Sequence, residues 1–208
     1  MKNMNYKNYL FLGLVLLASI NSFSQGLKVS GFGGYTIQDK VYGYNGEVII
    51  RDGAHFGGML SFQKSNNMTI DFTYLRQETT FSIQNYYALG NSGNIKGSVN
   101  YYMLGTTGSP DFSAKVSPYG GVMLGAAVFA PSEKYSSETR FAVGGKLGVI
   151  LHANDKVGIF IQTQLMVPVQ GVGLGVGCGG GGCGSGVSTS SSATQLGFTG
   201  GVEIKLNN

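Results

Sequence analysis

The sequence predicts an all-β protein in which eight antiparallel strands run up and down to form one closed barrel. Three observations predict this fold: segments that alternate apolar with other side chains recur along the chain, their number is even, and short turns alternate with long loops. The composition agrees, because 35 of the 208 residues are Gly, 12 are Tyr and 12 are Phe. Curved strands tolerate glycine where they bend or where two backbones approach closely.

The clearest strand is residues 195–206, QLGFTGGVEIKL, where apolar side chains occupy every second position. Successive side chains of a β-strand point to opposite faces, so apolar residues at every second position form one apolar face. Seven other segments follow the same pattern, although glycine and alanine leave the facing of 116–129 ambiguous. The remaining predicted strands cover residues 27–38, 54–63, 68–76, 95–105, 116–129, 141–152 and 157–167.

The strand lengths and the connections predict that this barrel crosses a membrane. Strands of about 9 to 12 residues match the length that a tilted strand needs to span a bilayer. Short turns are predicted at 64–67 and 153–156, and a connection of ten residues at 106–115. The alternate connections are long, at 39–53, 77–94, 130–140 and 168–194. In transmembrane barrels the short turns lie in the periplasm and the long loops outside the cell.

The first 24 residues predict a signal peptide. A head containing Lys2 and Lys7 precedes an apolar run, LFLGLVLLASI, which is too short for a membrane-spanning helix. Small residues at Ser22 and Ser24 suit cleavage before Gln25, so we expect residues 25–208 to form the barrel domain. The alternative is an uncleaved N-terminal anchor.

Several functional classes are excluded by composition and motif. The net charge of +4 falls to +2 without Lys2 and Lys7, which gives no electrostatic footprint for nucleic acid. The Gly-rich stretch at 171–186 lacks the Lys-Ser/Thr of a phosphate-binding loop and predicts a flexible surface loop. No metal-ligand spacing accompanies the cysteines, so we expect no metal and no cofactor. In an oxidising compartment Cys178 and Cys183 could form a disulfide.

Four features carry a family resemblance: the leader, the eight alternating segments, the strands SGFGGYTI and PYGGVMLGAAVF, and the closing QLGFTGGVEIKL. In these features the chain resembles the small outer-membrane β-barrel family of Gram-negative bacteria, the OmpX and OmpA-transmembrane type. The resemblance covers Gly26 to Leu206. It implies a non-enzymatic monomer in contact with outer-membrane lipid. It also implies an envelope-structural role, or the binding of an extracellular or envelope protein through the outer loops.

We expect the inward faces of the strands to carry a polar network. Eight strands enclose an interior that side chains fill, so an open pore is not expected. Unpaired charge there would be costly, which favours a hydrogen-bonded plug over an ion or proton path. The expected network comprises Asp71, Asn100, Lys146, Gln162, Gln164 and Glu203, with Lys96 and Lys205 also facing inward.

Two other functions remain as alternatives. A lipid A-modifying barrel enzyme would use a histidine, and His55, near the outer side, is better placed for it than His152. A soluble exported barrel would hold an apolar ligand and would have an apolar interior and a polar exterior.

The loop at 77–94 is a candidate binding surface. Its apolar and aromatic residues include Phe81, Ile83, Tyr86 and Tyr87, which could bind a partner by strand addition or stacking. The alternative is that the two flanking strands continue beyond the membrane.

Overall fold

The structure of the chain is a computed structural model. It describes residues 26–43, 46–85, 93–112, 114–132, 137–169, 172–179, 182–189 and 194–206, with the backbone alone for 40–48, 83–85, 93, 172–179 and 182–189. The predicted signal peptide lies outside the described residues, as do Tyr86 and Tyr87.

The described secondary structure is entirely β. No helix among the described residues is long and apolar enough to cross a membrane. The strands are β1 Leu27–Thr36, β2 Asp39–Gly43, β3 Gly46–Ile50, β4 Gly53–Ser65, β5 Met68–Asn85, β6 Gly93–Gly108, β7 Val116–Pro131, β8 Glu138–His152, β9 Val157–Pro168, β10 Val172–Gly179, β11 Gly182–Thr189 and β12 Gln195–Lys205.

Eight of these strands close into one up-and-down antiparallel barrel in the order β1, β4, β5, β6, β7, β8, β9, β12. Lys28 on β1 pairs directly with Lys205 on β12. Following the pairings from Lys28 the other way around the barrel leads to Gln195, ten residues earlier on β12. The barrel therefore has a shear of ten residues, so its strands tilt against the axis.

The outer wall is apolar and exposed through the middle of the barrel. Leu147 and Ile161 on the neighbouring strands β8 and β9 are 65% and 67% exposed, and Val122 on β7 is 69% exposed. This is the reverse of a soluble barrel, which hides its apolar faces inside. Further large apolar residues on the outer wall include Phe56, Leu60, Phe72, Leu104, Leu124, Phe141, Val143, Leu165, Phe198 and Val202.

The faces predicted for six of the eight strands agree with this arrangement, namely those of β1, β4, β5, β8, β9 and β12. The facing predicted for β6 is wrong. An inward-facing Asn100 and Lys96 would place Val99, Tyr101 and Met103 on the outer wall, but these three residues are buried in the barrel interior, and Tyr102 and Leu104 are exposed instead. β7, which was ambiguous, directs Met123 and Ala127 inward and Val122 outward.

The error on β6 has a physical reason, which is visible on β5 and β6 together. Below the paired residues Tyr74 and Tyr102, the outer wall is apolar and polar side chains face inward. Above this pair the outer face becomes polar, with Arg76 and Glu78 exposed, while Leu75 and Phe81 are buried on the inner face beside Gln77. An outer face that leaves the membrane meets water, so polar residues move outward and apolar residues pack within.

Three predicted loops contain strands. β5 and β6 stay paired up to Ile83 and Gly93, far above the barrel, and β3 pairs with the upper part of β5. With β2, which pairs with β3, they form a sheet that we call the upper sheet (β2, β3 and residues 79–97 of β5 and β6). The Gly-rich segment forms the hairpin β10–β11, which replaces the predicted irregular loop. Alternation of Val and Leu with Gly over residues 172–176 gives this hairpin its strand period.

Candidate functional site

The interior of the lower half, the end where the short turns lie, contains a buried ion pair between β5 and β8. Lys146 Nζ lies 2.9 Å from Asp71 Oδ2, and both side chains are 3% exposed. The carboxylate also accepts hydrogen bonds from the hydroxyls of Thr69, at 2.9 Å, and Thr107. Lys146 Nζ additionally lies 3.2 Å from Met59 Sδ. Both charges are thus compensated, as burial requires.

A second buried ion pair lies closer to the same end. Lys28 Nζ on β1 donates to Glu203 Oε1 on β12 at 2.9 Å. The same ammonium group lies 5.0 Å from the centroid of Phe112, a buried residue of the connection between β6 and β7. The two ion pairs line a common cavity of about 20 Å³, which is room for roughly one water molecule.

Polar side chains continue the network across β7 and β9. The Tyr119 hydroxyl donates to Gln162 Oε1 at 2.9 Å, and Gln162 Nε2 donates to Gln164 Oε1 at 3.2 Å. Lys146 on β8 is the backbone neighbour of Gln164 on β9. The interior is therefore occupied by paired and bonded side chains through the lower half.

A buried histidine lies near the upper end of the barrel. His55 Nδ1 is 2.8 Å from Thr36 Oγ1, and His55 Nε2 is 2.9 Å from Thr199 Oγ1, so the ring joins β1, β4 and β12. Two glycines make room for this ring. A Cβ on Gly34 would lie 2.6 Å from His55 Nε2, and one on Gly197 would lie 3.3 Å from the ring.

The interior also contains an apolar cluster and two buried amides. Apolar side chains from every barrel strand except β12 form this cluster: Phe32, Met59, Leu75, Val99, Tyr101, Met103, Met123, Ala127, Ala142, Ile150, Phe160 and Met166. Tyr101 donates its hydroxyl hydrogen to Gln195 Oε1 at 2.6 Å. Both amide atoms of Gln77 and the Nε2 of Gln195 are buried without a hydrogen-bond partner among the described residues.

Five of the six residues of the expected polar network are buried on inward faces: Asp71, Lys146, Gln162, Gln164 and Glu203. Asn100 is a correction. It is buried on the opposite face of β6 from Tyr101, where its Oδ1 accepts a hydrogen bond from Tyr74 at 3.2 Å. Lys96, on the same face as Asn100, is exposed. Both follow from the polar outer face above Tyr102.

The predicted loop surface also changes. Phe81 is buried and packs against Phe129, with ring centroids 6.4 Å apart, so it offers no exposed surface. Ile83 lies on β5 opposite Gly93, and its side chain is not described. Cys178 and Cys183 are directly opposite each other in the backbone of β10 and β11. Their disulfide stays a prediction.

Sequence reasoning missed Lys28 as the partner of Glu203, and it missed the two threonines around His55. The alternation on β1 and β4 already places Lys28, Thr36 and His55 on inward faces. Which of these inward side chains meet depends on which strands pair and in which register, for example β1 with β12 and with β4, and alternation alone does not give that register.

The two histidines contact hydroxyl and carbonyl groups. His55 contacts two hydroxyls, and no carboxylate bonds to it among the described residues. His152 Nδ1 donates to the carbonyl of Ala114 at 2.9 Å. Within the part of the chain that the structure describes, no group of three His, Cys, Asp or Glu side chains could hold a metal ion.

No protein-family model matches the chain, and no curated protein matches it in sequence. Solved structures do resemble it. Neisserial surface protein A has a TM-score of 0.58 at 14% identity, covering 86% of this chain and 97% of that protein. The outer membrane protein OprG from Pseudomonas aeruginosa has a TM-score of 0.56 at 8% identity, covering 89% and 98%. The outer membrane protein AlkL, solved in DMPC lipid bilayers, has a TM-score of 0.56 at 14% identity, covering 89% and 92%.

At these identities the likeness concerns the fold. The eight-strand count, the closed antiparallel order and the exposed apolar wall agree with it. The chain therefore has the fold of the small eight-stranded outer-membrane β-barrels.

Proposed function

We propose that the chain, after removal of residues 1–24, is a non-enzymatic, monomeric barrel of the outer membrane. The observation that carries this proposal is the exposed apolar wall around a closed barrel, seen at Val122, Leu147 and Ile161. Such a wall is stable in lipid, and closure leaves no unpaired strand edge in the hydrocarbon region. The soluble alternative required the opposite distribution of side chains.

The role that we propose is envelope-structural or surface-binding, without diffusion of solutes through the lumen. The two ion pairs and the apolar cluster fill the interior, and the cavity between the ion pairs holds about 20 Å³. The upper sheet, which extends beyond the barrel, supplies the surface for a protein partner.

Cell fractionation followed by gel mobility tests the membrane assignment. We expect the protein in the outer-membrane fraction, with a band that shifts on boiling because the closed barrel resists detergent. A protein found in the soluble periplasmic fraction would contradict the proposal. Planar-bilayer recordings test the closed lumen: we expect no stable conductance, whereas a large porin in the same bilayer serves as the positive control.

Two variants separate the roles. Replacing residues 79–97 by a short turn removes most of the upper sheet and leaves the barrel strands below it. If the role is surface binding, this variant loses adhesion to the partner surface but keeps resistance to detergent. If the role is structural, cells that lack the whole barrel have a weakened envelope, and the truncated barrel restores the integrity of the envelope.

His55→Ala should leave the lipid A acylation profile unchanged, and an altered profile would contradict a non-enzymatic role.

A further inference from the structure

A cavity of about 490 Å³ opens at the barrel end where the short turns and the first and last described residues meet. We call it the lower mouth. It is lined in part by the connection between β6 and β7, by the turn after β8 and by the lower ends of β1 and β12. Four lysines line it: Lys28, Lys115, Lys156 and Lys205.

The charges that line the lower mouth do not cancel. Lys28 and Glu203 neutralise each other in the buried ion pair. Asp155 is the other lining carboxylate, and it offsets one of the remaining lysines. Lys115 and Lys156 are exposed, and Lys205 is half-buried. The lining therefore carries a surplus of two positive charges in a concave surface, which focuses a positive potential there.

The deep end of the lower mouth is closed. Phe112 is buried and covers Lys28, and beyond them lies the small cavity of about 20 Å³ between the two ion pairs. Gln63 and Asn66 add amide groups to the lining and can donate hydrogen bonds. A ligand entering from this end thus meets lysines and amide donors but has no passage through the barrel.

We propose that the lower mouth binds a small anion carrying several carboxylate or phosphate groups. Ammonium and amide donors that converge from several elements recognise such groups. The inward-facing Lys28 and Glu203 line the cavity, so it opens along the barrel axis. Its ligand therefore comes from the aqueous side rather than from lipid headgroups around the wall. The mouth faces the periplasm under the proposed function, but the site itself does not depend on that orientation.

Titration calorimetry of the refolded full chain in detergent micelles at low salt, with citrate and with inorganic phosphate as probes, tests the site. We expect binding in the millimolar range or tighter. The triple variant Lys115→Gln, Lys156→Gln and Lys205→Gln should bind about tenfold more weakly, because it loses three exposed ionic contacts. Added salt should weaken binding to the unchanged protein.

The matched control is Lys64→Gln with Lys96→Gln, since neither lysine lines the cavity. This control should bind like the unchanged protein. If the triple variant loses binding of either probe and the control variant does not, the result supports the site. Equal binding in the triple variant, or no binding of either probe, overturns it. The mobility shift on boiling checks that each variant is folded, so a folding failure cannot imitate loss of the site.

Discussion

Tyr74 on β5 and Tyr102 on β6 are directly paired, with ring centroids 5.2 Å apart and ring planes inclined by 40°. They mark the height above which the outer face of the two strands becomes polar. Below them apolar side chains such as Phe72 and Leu104 are exposed, and above them Leu75 and Val99 are buried. Aromatic residues with one polar end favour the boundary between hydrocarbon and water.

The buried ion pair is the first target for mutation. Lys146→Met leaves the carboxylate of Asp71 buried without its cation, so we expect a loss of about 3 to 5 kcal/mol in the free energy of unfolding. Urea unfolding of the barrel in lipid vesicles measures it. The double variant Asp71→Leu, Lys146→Met should recover most of the loss. A loss under about 1 kcal/mol in the single variant would mean that the pair is not desolvated.

The exposed apolar wall predicts that the free-energy cost of an added charge depends on its height along the barrel. Leu147→Arg places a charge in the middle of the apolar wall and should cost about 2 to 4 kcal/mol, measured by the same unfolding experiment. Thr139→Arg is its control on the same face of β8, near the upper end, where the cost should be under about 1 kcal/mol. Equal costs at the two positions would contradict the membrane boundary.

The buried apolar side chains above the tyrosine pair predict a packed core there. Leu75→Ala should cost about 2 to 5 kcal/mol because the side chain is 2% exposed and leaves a cavity. The neighbouring Arg76→Ala removes only an exposed ion pair with Glu78 and should cost less than about 1 kcal/mol. If the two variants unfold at the same urea concentration, the inner face there is not packed.

Two glycines on β1 should respond differently to the same change. A Cβ on Gly34 would lie 2.6 Å from His55 Nε2 and would clash with the carbonyl oxygen of Phe198. Gly34→Ala should therefore destabilise the barrel by about 1 to 3 kcal/mol. Gly31→Ala meets nothing within 4 Å and should change stability by less than about 1 kcal/mol. Adding His55→Ala should not rescue Gly34→Ala, because the backbone contact with Phe198 remains.

The lower half of the barrel could be predicted from the sequence because each strand there has one lipid-facing side. The inward positions of Asp71, Lys146 and Glu203 follow from alternation alone. Alternation did not give the correct facing of β6, because its pattern fits either facing unless the height of the strand relative to the bilayer is known. Asn100 and Tyr101 changed faces for that reason.

Contacts across the lumen could not be predicted, since they combine the facing of one strand with the shear of the whole barrel. The ion pair between Asp71 on β5 and Lys146 on β8 joins two strands that are not neighbours, and the two residues lie 75 positions apart. The short strands β2 and β3 were also beyond sequence reasoning. They pair with the upper part of β5, and five residues carry too little pattern to indicate a strand.

The upper sheet has a consequence for how the protein enters its bilayer. Lys96 in the upper sheet is exposed, as are Arg76 and Glu78 just below it on β5, so this charged part of the strands must be carried through the hydrocarbon before the sheet can fold. Once Leu75, Phe81 and Val99 have packed on the far side, withdrawal would require that part to unfold first. The sheet thereby acts as a stop that fixes both the direction of insertion and the depth at which the barrel comes to rest.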